Sequence, residues 1–321
     1  MLIIDEETAE RVVGMADAIA AIQQAFVSLE QGRAEAFPVV LGHGSAGDGV
    51  FGVKSGLIRD GGLVGLKVGT YWPANRALGL PSHGATTLFL DDATGRPTAL
   101  VSSTYLTGIR TAAADAVAVR RLARAGAQVL GIVGAGHQAW YDLLAICEVR
   151  PIRRLQVWNR DPGRAEAFAG RARAELGLEA VAASLEATVR EADILVTATS
   201  ASEPLVRREW VRPGTHISAM GADSGGKQEL DVALVAEGLL YADVARQALA
   251  IGEFQTAGRA GLIGEADVRT LGSALVSDAP RPADAITIFD SSGTGIQDLA
   301  IGALAVSRCA AAGLGQTVAF G

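Results

Sequence analysis

The sequence predicts an α/β protein: a Rossmann doubly wound sheet plus a smaller α+β domain built from both chain ends. Three observations predict it. Val129-Leu-Gly-Ile-Val133 is an apolar run of the kind that forms a buried parallel strand, and Gly134-x-Gly136-x-x-Ala139 follows it directly. From there strand and helix patterns alternate at short spacing as far as residue 198. Before residue 103 the pattern is different, with short strands separated by glycine-rich turns, and a long apolar helix closes the chain.

In the glycine turn, Gly134 permits the tight bend, Gly136 lets backbone approach a pyrophosphate, and Ala139 lets the helix pack near the strand. Free N–H groups in that helix's first turn would face the diphosphate. The same turn also occurs where no nucleotide binds, so the context decides. Residues 154–158 read as a second strand, 162–176 as a helix, 179–182 as a short strand, 185–191 as a helix and 194–198 as an apolar strand. That β-α-β-α-β order is what a nucleotide-binding sheet requires.

At the start of the chain, Val12, Val13, Met15, Ile19, Ile22 and Phe26 form a helical stripe, which predicts a helix over 16–31 ending near Gly32. Strands are expected over 37–41 and 50–54 around the turn Gly42-His-Gly-Ser-Ala-Gly-Asp-Gly, then over 61–71, 86–90 and 98–102. An alanine-rich helix over 105–125 should bridge the two domains. After a last Rossmann strand over 285–289 the chain enters a helix reaching about residue 312, expected to return to the first domain. The expected boundaries are 1–115 with 294–321, and 116–293. No repeat of 20–50 residues is visible.

A chain of 321 residues suits two domains of ~100–200 residues each. With 49% hydrophobic and 20% charged residues the chain is of globular composition, which excludes disorder as the default. A net charge of -7 without a basic run argues against a nucleic-acid partner. Cys147 and Cys309 lack a C-x-x-C partner and read as buried thiols of a reducing compartment. Met1-Leu-Ile-Ile runs straight into Asp5, Glu6 and Glu7, so no signal peptide is read there. The apolar stretch 299–314 is too short to span a bilayer and carries Ser307 and Arg308. A cytoplasmic protein with no membrane partner is expected.

Several residues could carry chemistry. Lys67, on a strand before the aromatic and cationic loop 71–83, suits a substrate carboxylate, or proton donation if burial lowers its pKa; otherwise it is a surface lysine at a strand end. Arg110 is one large cation among small residues near an expected helix N-terminus, where the dipole disfavours it. A nearby anion, either a carboxylate or a diphosphate, would rationalise it; a surface salt bridge is the plain alternative. Asp223 sits in a glycine-broken loop after a strand, where ligands of open α/β sheets bind. It could trade a proton with a nitrogen beside a nicotinamide, or make an Asx turn. His43, His83, His137 and His216 show no metal-ligand spacing, so no metal is expected; His43 and His83, placed in loops, either line a pocket with Lys54 and Arg76 or face solvent. At the end of the second strand Asn159 and Arg160 tilt toward NADPH, while Asp161 keeps NADH open.

Gly65-Leu-Lys67-Val, residues 75–81 and 107–114, Gly134-Ala-Gly-His-Gln-Ala, Gly221-Ala-Asp223-Ser-Gly-Gly-Lys-Gln-Glu-Leu and Phe289-Asp-Ser-Ser-Gly-Thr-Gly-Ile-Gln-Asp298 together resemble the ornithine cyclodeaminase/mu-crystallin family. The likeness runs from about residue 50 to the C-terminus. It implies a homodimer in which the smaller domain is a substrate/dimerisation domain built from both chain ends, and an NAD(P)H-dependent enzyme acting on a C=N bond next to a carboxylate. Lys67 and Arg110 would then hold the substrate's α-carboxylate, and Asp223 would be the acid/base. Lys54 and His83 are added as substrate-binding residues. Expected dinucleotide contacts are Arg110, Thr111, Gly134, Gly136, His137, Gln138, Asn159, Arg160, Asp161, Thr199, Met220, Ser291 and Gly293. The cations of the first domain favour reduction of the imine of a 2-oxo acid to an L-amino acid, with iminosuccinate to aspartate as the specific expectation. Two alternatives stand beside it: an ornithine- or lysine-type cyclodeaminase that recycles NAD, and a mu-crystallin-like NADP-dependent binding protein without turnover.

Overall fold

The structure, a computed structural model, describes residues 1–45 and 47–320; Ala46, inside the expected glycine-rich turn, lies outside them. The chain divides into two compact units, Met1–Arg110 with Thr294–Gly321, and Thr111–Gly293. It is an α/β fold with one sheet in each unit.

The first unit contains β1 (Leu2–Ile4), α1 (Glu6–Val12), α2 (Met15–Glu30), β2 (Ala34–Ala36), β3 (Val40–His43), β4 (Val50–Ile58), β5 (Leu63–Tyr71), β6 (His83–Leu90) and β7 (Pro97–Ser102). Helix α3 (Thr104–Leu122) carries the chain from the first unit into the second. The sheet runs β16-β1-β7-β6-β5-β4-β2, with β3 also on β4 and β16 being Gln316–Thr317. All neighbours are antiparallel except β1 and β7. The helical stripe at the N-terminus buries Ile19, Ile22 and Phe26 on α2, as an amphipathic helix should. Several short elements differ from expectation: β1, α1, β2 and β16 were not expected, and the strand expected over 37–41 is β3 at Val40–His43. Leu2–Ile4 is a strand, because its partners are residues 99–101 and 316–317, far away in sequence. His43 and His83 belong to strand ends rather than loops, since β3 and β6 extend the ladder beyond the glycines that flank them.

Helix α11 (Gly295–Ala312) packs on the face of β4, β5 and β6 that carries Gly56, Gly65 and Phe89. Close approach demands glycine here: a Cβ on Gly295 would lie 2.5 Å from the Ser55 backbone, and one on Gly302 2.8 Å from the Phe89 ring. The helix thus ends over the middle of the sheet, and its first turn meets the next row of side chains.

The second unit holds β8 (Val129–Val133), α4 (His137–Val149), β9 (Arg154–Trp158), α5 (Pro162–Leu176), β10 (Glu179–Ala182), α6 (Leu185–Glu191), β11 (Ile194–Thr197) and β12 (His216–Ala219). Then follow α7 (Val232–Glu237), β13 (Leu239–Ala242), α8 (Ala245–Ile251), α9 (Gln255–Arg259), β14 (Val268–Thr270), α10 (Leu271–Val276) and β15 (Thr287–Asp290). Its sheet is parallel throughout, in the order β10-β9-β8-β11-β12-β15-β13-β14, which makes it doubly wound. Val133, Leu195, Ile217, Leu230 and Ile288 are among its fully buried side chains, as the near-continuous apolar strands require. Strands β13 and β14 were not expected, because three- and four-residue segments have too little period to read. No single described helix is long and apolar enough to cross a membrane.

Candidate functional site

In the first unit the strand register builds the site. Lys67 lies in the middle of β5, directly opposite Lys54 on β4 and Thr87 on β6, so these side chains share one face. Like charges opposite each other destabilise a ladder, and a counter-charge is required. Asp298 supplies it. Lys67 Nζ donates to Asp298 Oδ1 at 2.8 Å, and Arg110 Nε lies 3.1 Å from the same oxygen. Lys67 is 4%, Arg110 5% and Asp298 2% exposed, so the cluster is desolvated. Asp298 stands in the first turn of α11, where the helix dipole favours a carboxylate.

Arg110 is held by a second contact, Nη1 donating to Gln297 Oε1 at 2.8 Å; that oxygen also accepts from the Thr294 N–H at 3.2 Å. Helix α3 begins at Thr104, one residue before the expected start, so Arg110 sits beyond the first turn; of the two anions that could rationalise it, the structure places an internal carboxylate, Asp298, beside it.

The electrostatics show what the cluster lacks. Burial drives Lys67 down to about 7; Asp298 opposes the shift, and Arg110 and Lys54 reinforce it. Asp298 lies below the usual carboxylate range, because Lys67, Arg110 and Lys54 together outweigh the effect of its burial. The Asp298 shift follows from three cations around one carboxylate, whereas burial is the main cause of the Lys67 shift. Gln297 Nε2, a donor, and Asp298 Oδ2, an acceptor, are buried without a hydrogen-bond partner among the described residues, and Arg110 Nε meets Asp298 as an ion pair without hydrogen-bond geometry. A site short of negative charge, with a donor left open, fits an incoming carboxylate.

His83 is less close than expected. It pairs with Tyr71, on the same face as Lys67 but four residues along the strand, roughly 13 Å at ~3.3 Å per residue. The small residues Gly52, Gly69 and Ala85 form the row between them. His83 is exposed and stacks on Tyr71 with ring centroids 4.6 Å apart.

In the second unit Gly134 has φ +119°, a left-handed value, and a Cβ there would lie 2.6 Å from the Ala198 carbonyl. Gly136 precedes α4 as its N-cap, and a Cβ on it would meet nothing within 4 Å, leaving room above the first-turn N–H groups of His137 and Gln138. Gln138 Nε2 donates to Asp142 at 2.8 Å, and the His137 ring meets Tyr141 edge-on. The Gly134 N–H donates to the Trp158 carbonyl at 2.8 Å, tying this loop to the end of β9. There Asn159 accepts from the Asp161 N–H, and Asp161 caps α5 by accepting from Gly163 N at 2.9 Å. That capping role gives Asp161 a structural function which the strand-end reading did not include. Arg160 is exposed, and Arg164, which sequence reasoning passed over, reaches the Ala135 carbonyl at 3.5 Å.

Thr199, Met220 and Ser291 follow β11, β12 and β15, and the Ser291 N–H donates to Ala219 O. Gly293 has φ +75°, and its N–H donates to Asp243 at 2.8 Å. Thr111 lies on α3 at the start of this unit. The arrangement beyond the strands' carboxyl ends is the place where open α/β sheets take a dinucleotide. Asp223 lies in the loop after β12, exposed and paired with Lys227 at 2.6 Å. The helix cap nearby is made by Asp231.

Sequence reasoning missed Asp298, Gln297 and Glu229. The first two stand in the Gly-Thr-Gly-Ile-Gln-Asp block, where an acid just inside a helix start was the available signal.

The Ornithine cyclodeaminase/mu-crystallin family model matches residues 2–311. The chain is 41% identical over 322 residues to iminosuccinate reductase of Paracoccus denitrificans, covering 99% of each. It is 34% identical over 322 residues to alanine dehydrogenase of Archaeoglobus fulgidus, covering 99% of this chain and 98% of the other. The structure of the Paracoccus enzyme in complex with NAD+ matches with TM-score 0.95 at 40% identity, covering 100% of this chain and 99% of that one. Thermococcus litoralis Delta(1)-pyrroline-2-carboxylate reductase, in complex with NADH and L-proline, matches with TM-score 0.92 at 31% identity over 99% of this chain and all of that one. With the family model spanning nearly the whole sequence, the chain belongs to the ornithine cyclodeaminase/mu-crystallin family.

Proposed function

We propose that this protein is an NAD(P)H-dependent reductase that converts the imine of a 2-oxo acid into an L-amino acid, and that the imine of oxaloacetate, iminosuccinate, is its substrate. The observation that carries the reading is the buried cluster of Lys67, Arg110 and Asp298 with its surplus of positive charge. An α-carboxylate placed against Lys67 and Arg110 neutralises that surplus and orients the C=N carbon next to it. Reduced nicotinamide supplies the hydride when bound.

The imine carbon is electrophilic only while its nitrogen carries a proton, so the side chains must keep it protonated. Burial drives Lys67 down to about 7 before substrate arrives, and the bound carboxylate then keeps it as the ammonium, a charged N–H donor that can hold the proton on the imine nitrogen. Asp223 is the second candidate, and for that role its carboxylate must leave Lys227. One positioned acid is typically worth ~10²–10⁴-fold in rate.

Gly134, Gly136, His137 and Gln138 cradle the diphosphate, Thr199, Met220, Ser291 and Gly293 border the nicotinamide end, and Arg110 and Thr111 complete the contacts. The fit rests on the open space over Gly136 at the start of a thirteen-residue helix. Asn159 and Arg160 slightly favour the 2′-phosphate of NADPH, while similar structures hold NAD+ or NADH.

Lys54, facing Lys67 across the ladder, supports the dicarboxylate assignment, with His83 further along the same face. An ornithine or lysine side chain would bring an ammonium toward Lys54, which disfavours the cyclodeaminase reading. The first unit is assigned to substrate binding and to a homodimer. Support for the dimer comes from exposed Phe37, Val40, Leu41, Leu78 and Leu80. Two free cysteines support a reducing, cytoplasmic location.

The test is a panel of 2-oxo acids with ammonia or methylamine, assayed with both nucleotides. Steady oxidation that is fastest with oxaloacetate and ammonia supports the reading. Stoichiometric nucleotide binding without oxidation would assign a binding role, and ornithine turned into proline without net nucleotide use would assign a cyclodeaminase.

A further inference from the structure

The Glu229 side chain is fully buried, and it accepts from four groups. Oε1 receives the Thr199 N–H at 2.7 Å and the Thr199 hydroxyl at 2.6 Å. Oε2 receives the Thr197 hydroxyl at 2.8 Å and the Gly221 N–H at 3.1 Å. An ionised carboxylate offers about four lone-pair sites, so all of its capacity is used and none remains for a substrate.

The carboxylate joins two strand ends. Thr197 closes β11, and Gly221 follows β12 by two residues. Glycine is needed there, because a Cβ on Gly221 would lie 2.5 Å from Glu229 Oε2. Glu229 is itself held by a second buried acid. Glu253 Oε1 accepts from the Glu229 N–H at 2.9 Å and the Leu230 N–H at 2.7 Å. The Glu253 N–H in turn donates to Asp290 Oδ2 at 3.0 Å, at the end of β15. A chain of three carboxyl groups therefore ties the carboxyl ends of β15, β11 and β12 together through backbone N–H groups.

Such a construction is costly. Burial raises the pKa of Glu229 despite its donors, and it lifts Glu253 to about 8, with Glu229 adding to the effect. A plain structural pin could be made from neutral amides at lower cost. What the carboxylate adds is one rigid acceptor fixing two backbone segments that border the place where a ligand of this sheet lies.

We propose that Glu229 is a positioning residue of the nicotinamide subsite, setting the Thr199 and Gly221 backbone against which the ring rests. This depends on the second unit taking a nicotinamide dinucleotide, as argued above. The adenosine end, bordered by the β8 and β9 loops, is not tied by Glu229.

The experiment compares full-length wild type with Glu229→Gln. Dissociation constants are measured for the reduced dinucleotide and for ADP-ribose, which lacks the nicotinamide ring. Gln turns one acceptor oxygen into a donor facing existing donors, so affinity for the dinucleotide should fall by about tenfold or more. Affinity for ADP-ribose should stay within about twofold, since its contacts lie elsewhere. A role in folding alone would weaken both ligands equally or neither, and either result overturns the proposal. If Glu229→Gln does not fold, Thr197→Val removes the hydroxyl donor to Glu229 Oε2 and should show the same split at a few-fold; equal affinities would overturn it. Wild type that binds neither NADH nor NADPH would overturn the functional reading, and this proposal with it.

Discussion

Carboxylate binding to the Lys67 site should be linked to proton uptake, and the size of the linkage follows from the geometry. Without ligand, burial holds Lys67 at about 7 even with Asp298 beside it. A ligand carboxylate at ~3 Å adds roughly 5 kcal/mol of attraction at an effective dielectric of ~20. At ~1.36 kcal/mol per pKa unit, that returns the ammonium to the usual lysine range. A pKa near 7 leaves Lys67 about one-tenth charged at pH 8, so binding there should take up ~0.9 proton, against ~0.1 at pH 6. Affinity should therefore weaken about tenfold per pH unit above pH ~7 and be flat just below it. Succinate suits the test because it does not titrate above neutrality. Titration calorimetry in two buffers of different ionisation enthalpy, with saturating oxidised nucleotide, reads the proton count. A dissociation constant unchanged from about pH 7 to 9, with equal heats in both buffers, would refute the reasoning.

Three further outcomes are expected. Lys67→Met should lower kcat/KM by at least ~10²-fold while leaving the midpoint of thermal unfolding nearly unchanged. The shift from 10.5 to about 7 bounds the cost of the buried charge at ~5 kcal/mol, and taking from Asp298 its hydrogen-bonded cation costs a similar ~3–5 kcal/mol. Kinetics and a melting curve on the same preparation check this, and a variant with full turnover would contradict it. Asp223→Asn should mainly lower kcat, with KM for the imine little changed; undiminished kcat would remove its acid/base assignment. His216, buried against Thr287 and held at about 3 by burial and then by Arg281 and Arg150, must stay neutral in the fold. The unfolded chain takes up that proton below pH ~6.5, so stability is full above that pH and is lost as pH falls toward 3. Urea unfolding at pH 7 and 5 should show ~2 kcal/mol more loss for wild type than for His216→Gln, and equal losses would show that the burial argument is wrong.

The parts of the fold that could be read from the chain were those whose cause is local. Gly134 and Gly136 are local because a left-handed turn and an open helix start can be recognised within six residues. The stripe of α2 and the apolar run of β8 are local for the same reason. Strand β1 could not be read, since three residues become a strand only through partners about a hundred and over three hundred positions away. The site divides along the same line. Lys67 and Arg110 stood out as cations in the wrong surroundings, but the acid that joins them is 231 residues from Lys67 in sequence. Glu229 has no local signal, and only the fold brings Thr197, Thr199 and Gly221 onto it.

Hydride delivery to a carbon–nitrogen bond is tested most directly by isotope transfer. Reduced nucleotide deuterated at the nicotinamide C4 is incubated with oxaloacetate, ammonia and the protein, and the products are analysed by mass spectrometry. L-Aspartate carrying deuterium at Cα is the predicted product. Deuterated malate, with the carbonyl reduced in place of the imine, or aspartate without the label, would contradict the account.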